Sequence, residues 1–179
     1  KETLKILSDA GTLIAKKVGD QISVNMGIVT TEWDRIPLTK EMDTLNVPIH
    51  VDGFDSGVAV NIGNPHVVFF GKSIENINLN EIGPKIEQHH FFPNKTNVEF
   101  IEVVNSNTIK MKVWERGAGI TLACGSGACA AVYAGWKKKL IEKNSEVQLE
   151  KGSLHINIVN NEAIMTGPAE ISYNGYIHI

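Results

Sequence analysis

Cysteine is nearly absent from this chain of 179 residues: there are two, Cys124 and Cys129. Two thiols spaced C-x4-C build no disulfide framework, and without a second pair they complete no zinc site. That usage fits a reducing compartment, so a cytoplasmic location is expected. Charge of one sign is also missing. Lys and Arg number 17 and Asp and Glu 20, a net charge of −3. A chain so close to neutral gives no electrostatic reason to expect nucleic acid or an anionic membrane as partner. Long apolar runs are lacking too. Stretches such as Val67–Phe70 fall far below the roughly 18 residues of a membrane-spanning helix. The opening Lys1-Glu2-Thr3-Leu4-Lys5 has neither a signal peptide's pattern nor a transit peptide's composition. There is no initiator Met, and Leu4 and Ile6 already sit in a strand-like alternation, so the chain reads as part of something longer. With 42% hydrophobic and 21% charged residues, the composition is that of a folded globular protein.

Short strands dominate what is present. Thr12–Val18 and Gln21–Met26 flank Gly19-Asp20, a hairpin signal. Val58–Ile62 and Val67–Phe70 flank Gly63-Asn64-Pro65-His66, and Val98–Val104 and Thr108–Trp114 flank Asn105-Ser106-Asn107. In Thr108–Trp114, Ile109, Met111 and Val113 share one face. Leu154, Ile156 and Ile158 alternate with polar residues before an Asn160-Asn161 turn into Ala163–Thr166. Two stretches read as helices, Leu79–His89 and Ser126–Ile141. The second is Ala-rich and apolar on most faces, so it is expected to lie buried within surrounding sheet, and Lys137–Lys139 suit its negative C-terminal pole. The fold class is α+β.

Chemistry concentrates between Trp114 and Ala131, where a strand ends in Glu115-Arg116, a Gly-rich turn follows, and Cys124 precedes a helix that opens Gly125-Ser126-Gly127. A helix N-terminus leaves about four N–H groups unpaired and carries roughly half a positive charge. The N–H groups of Gly125, Ser126 and Gly127 can therefore hold a carboxylate or phosphate, and the same field is expected to lower the Cys124 pKa. Such a thiolate can act as nucleophile or base. A cysteine before a helix is also an ordinary buried small residue; Glu115-Arg116 and the turn favour function. Cys129 lies five residues on, about 140° around the axis and about 7 Å along it, and reads as core. The two thiols therefore cannot grip one carbon from opposite sides. His89-His90 diverge on a helix without a completing carboxylate, so no metal site is expected. By themselves His66 reads as a histidine satisfied within a loop, and Asn64 and Asn97 as turn formers.

The strings Glu115-Arg116-Gly117-Ala118-Gly119 and Ala123-Cys124-Gly125-Ser126-Gly127-Ala128-Cys129-Ala130 resemble the second active-site segment of the diaminopimelate epimerase family. Val24-Asn25-Met26-Gly27 with Ile36-Pro37-Leu38, Gly63-Asn64-Pro65-His66, and Phe92 to Phe100 agree in order. Proline and hydroxyproline racemases and a phenazine-pathway isomerase share the fold without this combination. The resemblance implies a diaminopimelate epimerase-like lobe, a mixed β-sheet wrapped around a central helix. Residues 25–167 would form this C-terminal lobe, and 1–24 with 168–179 a remnant of an N-terminal one. It also implies epimerisation of LL- to meso-diaminopimelate, a step toward lysine and peptidoglycan, by two thiols without pyridoxal or any other cofactor. Members run longer at the N-terminus, where a Cys-Gly-Asn-Gly string carries the other thiol, so this chain would hold one of the two and be inactive alone. Cys124 would be a catalytic acid/base. Glu115 would support catalysis and meet an ammonium, with His66 near the thiols. Gly125 and Ser126 would cradle the reacting carboxylate. Arg116 would bind the distal one, and Asn64 and Asn97 would read the distal amino-acid group. Ile120 stands where many members carry Glu. The implied partners are a small amino-acid substrate and, at full length, a second copy in a homodimer. A racemase of the same fold acting on another amino acid, or a non-catalytic carboxylate-binding module, are the alternatives.

Overall fold

Alternation of apolar side chains organises the molecule. In the computed structural model, which describes residues 3–8, 11–171 and 173–177, these segments join into one sheet of eleven strands. The strands are β1 (Thr3–Ser8), β2 (Gly11–Val18), β3 (Gln21–Ile28), β4 (Val58–Asn61), β5 (Pro65–Gly71), β6 (Asn97–Asn105), β7 (Thr108–Glu115), β8 (Gly119–Thr121), β9 (Asn144–Leu149), β10 (Gly152–Val159) and β11 (Glu162–Pro168). Their order is β1-β2-β3-β11-β10-β9-β7-β6-β5-β4, with β8 beside the end of β7. Pairing is antiparallel except β5 with β6 and β7 with β9, so the sheet is mixed as expected. The turn between β10 and β11 is made by Asn160 and Asn161, both at positive φ (51° and 63°), the geometry of a tight primed turn that Asn tolerates.

The helices are α1 (Leu79–Glu87) and α2 (Gly125–Lys137). Both stop short of the sequence reading. Helix α2 ends because Lys139 enters the left-handed region (φ 59°), while the Lys138 and Lys139 amides close onto Ala134 and Trp136. Nine consecutive residues, Gly127–Gly135, are buried. One sheet face wraps α2, with Val58, Val60, Val68, Phe70, Ile101, Ile109, Met111, Val113, Ile156 and Ile158 turned toward it. The other face carries Val67, Phe69, Val98 and Phe100, covered by α1 and apolar residues between Ile36 and Val51. The rings of Phe69 and Phe100 stack there, 5.3 Å apart and fully buried. Burying each contributes about 2–3 kcal/mol relative to exposure.

Sequence periodicity did not reveal β8 or β9. Strand β8 is three residues long, and β9, with Asn144, Ser145 and Glu146, lacks a clean alternation. The expected lobe boundary at residues 24/25 falls inside β3, which pairs with β11 across it. Residues 1–2, 9–10, 172 and 178–179 of the two flanking segments lie outside the described residues. Among the described residues no helix is long and apolar enough to cross a membrane.

Candidate active site

Three elements converge at the start of α2. Cys124 is its N-cap, in extended conformation (φ −140°), and its carbonyl accepts the first helical bond from Ala128 at 2.9 Å. Its Sγ turns back over the helix end: the Gly127 amide donates to it at 3.4 Å, and Ser126 Oγ lies 3.6 Å away. The N–H groups of Gly125 and Ser126 have no hydrogen-bond partner among the described residues, the usual condition of a first helical turn. Space at the helix start is tight. A methyl group at Gly125 would sit 2.9 Å from Met165 Sδ, and one at Gly127 would sit 2.9 Å from Glu99 Oε1 and 3.2 Å from Cys124 Sγ.

The thiol does not have the lowered pKa expected from the helix field. Burial pushes it up first, and the Glu99 carboxylate and, less strongly, Glu115 push the same way; the bonds from Ser126 and Gly127 oppose them without prevailing, and the pKa stands at about 12. The sequence reading weighed the helix end alone. It lacked the desolvation of a side chain only 6% exposed and the carboxylate brought up by β6. Cys129 is fully buried, as read, and burial pushes its thiol up too.

Behind Cys124 lies a buried pair, the expected His66 and a glutamate that sequence reasoning did not single out. His66 on β5 and Glu99 on β6 are both completely enclosed, with Nδ1 and Oε1 2.6 Å apart. The other ring nitrogen, Nε2, meets Asn64 Oδ1 at 3.0 Å in the β4–β5 turn. His66 thus joins Asn64 to Glu99 beside the thiol. The available signal was positional: in Val98-Glu99-Phe100-Ile101 the glutamate takes an inward position of an alternating strand, on the face that Ile101 turns to α2.

On the other flank, Glu115 ends β7 and its carboxylate accepts a hydrogen bond from the Thr121 hydroxyl of β8. Arg116 is exposed, and its Nη1 donates to Asn94 O at 3.1 Å. Asn97 is buried. Its Nδ2 donates to Pro65 O at 2.9 Å and its Oδ1 accepts from the Arg116 amide at 2.9 Å, so it ties β5 to the Arg116 turn and has one N–H left over. A second missed carboxylate, Glu87 at the end of α1, is 5% exposed. It accepts from the Trp114 indole N–H at 2.7 Å and the Gly117 amide at 3.1 Å, with Lys95 Nζ at 3.6 Å. Burial works against its ionisation, but the Trp114 and Gly117 bonds with Lys95 outweigh it and hold the carboxyl below its ordinary range.

His89 and His90 stack, ring centroids 4.3 Å apart. Among the described residues no group of three or more His, Cys, Asp or Glu is placed to hold a metal ion. A cavity of about 730 Å³ opens between α1 and the loop 48–54; His89 lines it, but none of the residues around Cys124 does.

A mixed sheet rolled around one apolar helix, with a thiol at that helix's N-terminus, is the diaminopimelate epimerase-like architecture. Solved structures agree. The chain is similar to a phenazine biosynthesis protein of the PhzF family from Enterococcus faecalis (TM-score 0.65, 16% identity, all of this chain and 66% of that one). It is also similar to a hydroxyproline epimerase from Agrobacterium vitis solved with bound trans-4-hydroxy-L-proline (TM-score 0.65, 12% identity, 93% and 56%). At those identities the likeness is one of fold. Sequence narrows it. The pattern of the family described as Diaminopimelate epimerase matches residues 58–172, and the chain belongs to that family. It is 42% identical over 175 residues to the diaminopimelate epimerase of Pelagibacter ubique, covering 94% of this chain and 64% of that protein. It is 48% identical over 153 residues to that of a Wolbachia from Drosophila simulans, covering 84% and 58%. The chain therefore spans less than two thirds of the length of these relatives.

Proposed function

We propose that this chain forms one half of a diaminopimelate epimerase active site and contributes one of two acid/base thiols. The observation that carries the reading is Cys124 Sγ turned over a helix end whose Gly125 and Ser126 amides stand unpaired. A substrate α-carboxylate held by those two amides brings its α-carbon to the sulfur. Cys124 then gives a proton to that carbon, or takes one from it, while the amides bear the charge that develops on the carboxylate. Inversion needs a second proton carrier on the opposite face. Cys129, enclosed in the core, does not reach it, so the second thiol is assigned to sequence outside these 179 residues. Arg116, exposed and braced by Asn94 and Asn97, presents a guanidinium fork for a distal carboxylate. Asn64 and the remaining N–H of Asn97 are assigned to the distal amino-acid group of the substrate. Glu115 neighbours the reacting end as a carboxylate for an ammonium, and no cofactor enters the reading.

Exchange in D2O with LL-diaminopimelate tests it. The 179-residue chain alone yields no meso product and no α-deuterium. The longer protein carrying the second thiol yields both, and Cys124→Ser in that protein slows turnover at least about 100-fold. Normal turnover by the short chain would refute the two-thiol reading, and unchanged turnover after Cys124→Ser would refute the role of Cys124.

A further inference from the structure

The buried carboxylate behind the thiol is unusual in one respect. Glu99 Oε1 meets His66, but Glu99 Oε2, equally enclosed, has no hydrogen-bond partner among the described residues. A half-satisfied buried carboxylate is costly, and a hydrophobic side chain of similar volume would serve packing as well or better. Its location ties it to the site. A methyl at Gly127 would sit 2.9 Å from Oε1 and 3.2 Å from Cys124 Sγ, so the two atoms lie no more than about 6 Å apart. Little intervenes that could screen the charge, since both side chains are buried.

We propose that Glu99 is a positioning residue for the Cys124 site: its carboxylate accepts a hydrogen bond from His66 Nδ1–H, fixing the ring that faces Asn64, and its negative charge beside the sulfur favours the thiol over the thiolate at Cys124. The inference rests on reading Cys124 as the proton-carrying thiol. A carboxylate beside Nδ1 holds a ring proton there, while Nε2, 3.0 Å from Asn64 Oδ1, is placed to donate to that oxygen. One residue thereby sets both the orientation of a substrate-facing amide and the charge state of the sulfur. The ionisable groups around Cys124 are Glu99 from β6, His66 from β5, Glu115 from β7 and Cys129 from α2 itself. Of the two carboxylates, Glu99 is the stronger influence on the thiol, and it acts in the direction the proposal requires.

Alkylation of Cys124 by iodoacetamide, followed in the intact chain between pH 7.5 and 9.5 by peptide mass spectrometry, tests the charge. Removing a unit charge about 6 Å away moves the thiol midpoint down by on the order of one to two pH units. Glu99→Gln is therefore expected to react about 10- to 100-fold faster at Cys124, while Glu99→Asp, which keeps the carboxylate, stays near the unaltered rate. Cys129 serves as the internal control for loosening. An unchanged Cys124 rate in Glu99→Gln, or a parallel rise at Cys129, overturns the proposal. Should Glu99→Gln fail to fold, nitrogen-15 NMR of the unaltered chain decides: His66 Nδ1 is expected to carry a proton, and a ring protonated on Nε2 alone overturns the proposal. These readouts need no turnover, so an absence of proton exchange in the longer protein counts against the proposed reaction and leaves Glu99 to be judged separately.

Discussion

Glutamine in place of Glu87 removes one charge and one acceptor from a site where two donors converge, one from half-buried Trp114 and one from exposed Gly117. The carboxylate receives the Trp114 indole N–H at 2.7 Å and the Gly117 amide at 3.1 Å. The glutamine oxygen can satisfy one of them; its NH2 then faces the other, donor against donor. An unsatisfied donor costs up to about 1–2 kcal/mol when part-buried, since the Gly117 side of the site can reach water, and replacing a charge-assisted bond by a neutral one costs about 1 kcal/mol more. The Lys95 pair, on a half-exposed ammonium, adds little. Glu87→Gln is thus expected to lower the unfolding free energy by about 1–3 kcal/mol at pH 7, read from urea denaturation. Acid should narrow the gap. A carboxyl held below its ordinary range stabilises fully above that range, and the contribution is lost as pH falls through its folded-state value. The two proteins' stabilities should therefore converge below the ordinary carboxylate range. A loss under about 0.5 kcal/mol at pH 7, or a gap that persists in acid, would refute the assignment of Glu87 as the clamp on the turn that carries Glu115 and Arg116.

Alkali should act through Cys124 in the opposite sense. A thiol raised to about 12 in the fold, against about 8.5 in the unfolded chain, contributes fully below about 8.5 and loses that contribution as pH climbs toward 12; Cys124→Ser should lose stability less steeply between pH 9 and 11, and parallel slopes would count against the buried neutral thiol. Asn97→Ala strips the partners of Pro65 O and the Arg116 amide, so a loss of about 2–4 kcal/mol with faster hydrogen exchange at Arg116 is expected; unchanged exchange there would show the turn to be held by other contacts.

Much of the sheet was readable because its strands alternate or run apolar between Gly and Asn turns. The burial of α2 followed from its composition. Strand β8 was hidden by its length, and β9 by its polar start. At the site, the thiol, the helix entry and the Glu115-Arg116 turn could be read locally because they are neighbours in the chain. Glu87 and Glu99 could not: their partners lie 27 and 33 residues away, and only the parallel register of β5 and β6 brings His66 and Glu99 side by side. The Cys124 pKa was misjudged for the same reason. The helix field is local, whereas desolvation and the Glu99 charge arrive through tertiary packing.

The enclosure of Gly127 to Gly135 has a consequence for how ligands come and go. Small side chains at Ala128, Ala130, Ala131 and Ala134, each wholly sequestered, let the strands press against the helix backbone and leave no slack for it to slide or tilt. The tip that presents the sulfur and the bare amides is consequently an anvil. Whatever rearrangement admits a guest must be performed by the hairpin bends around it, chiefly those bearing Asn64 and Arg116.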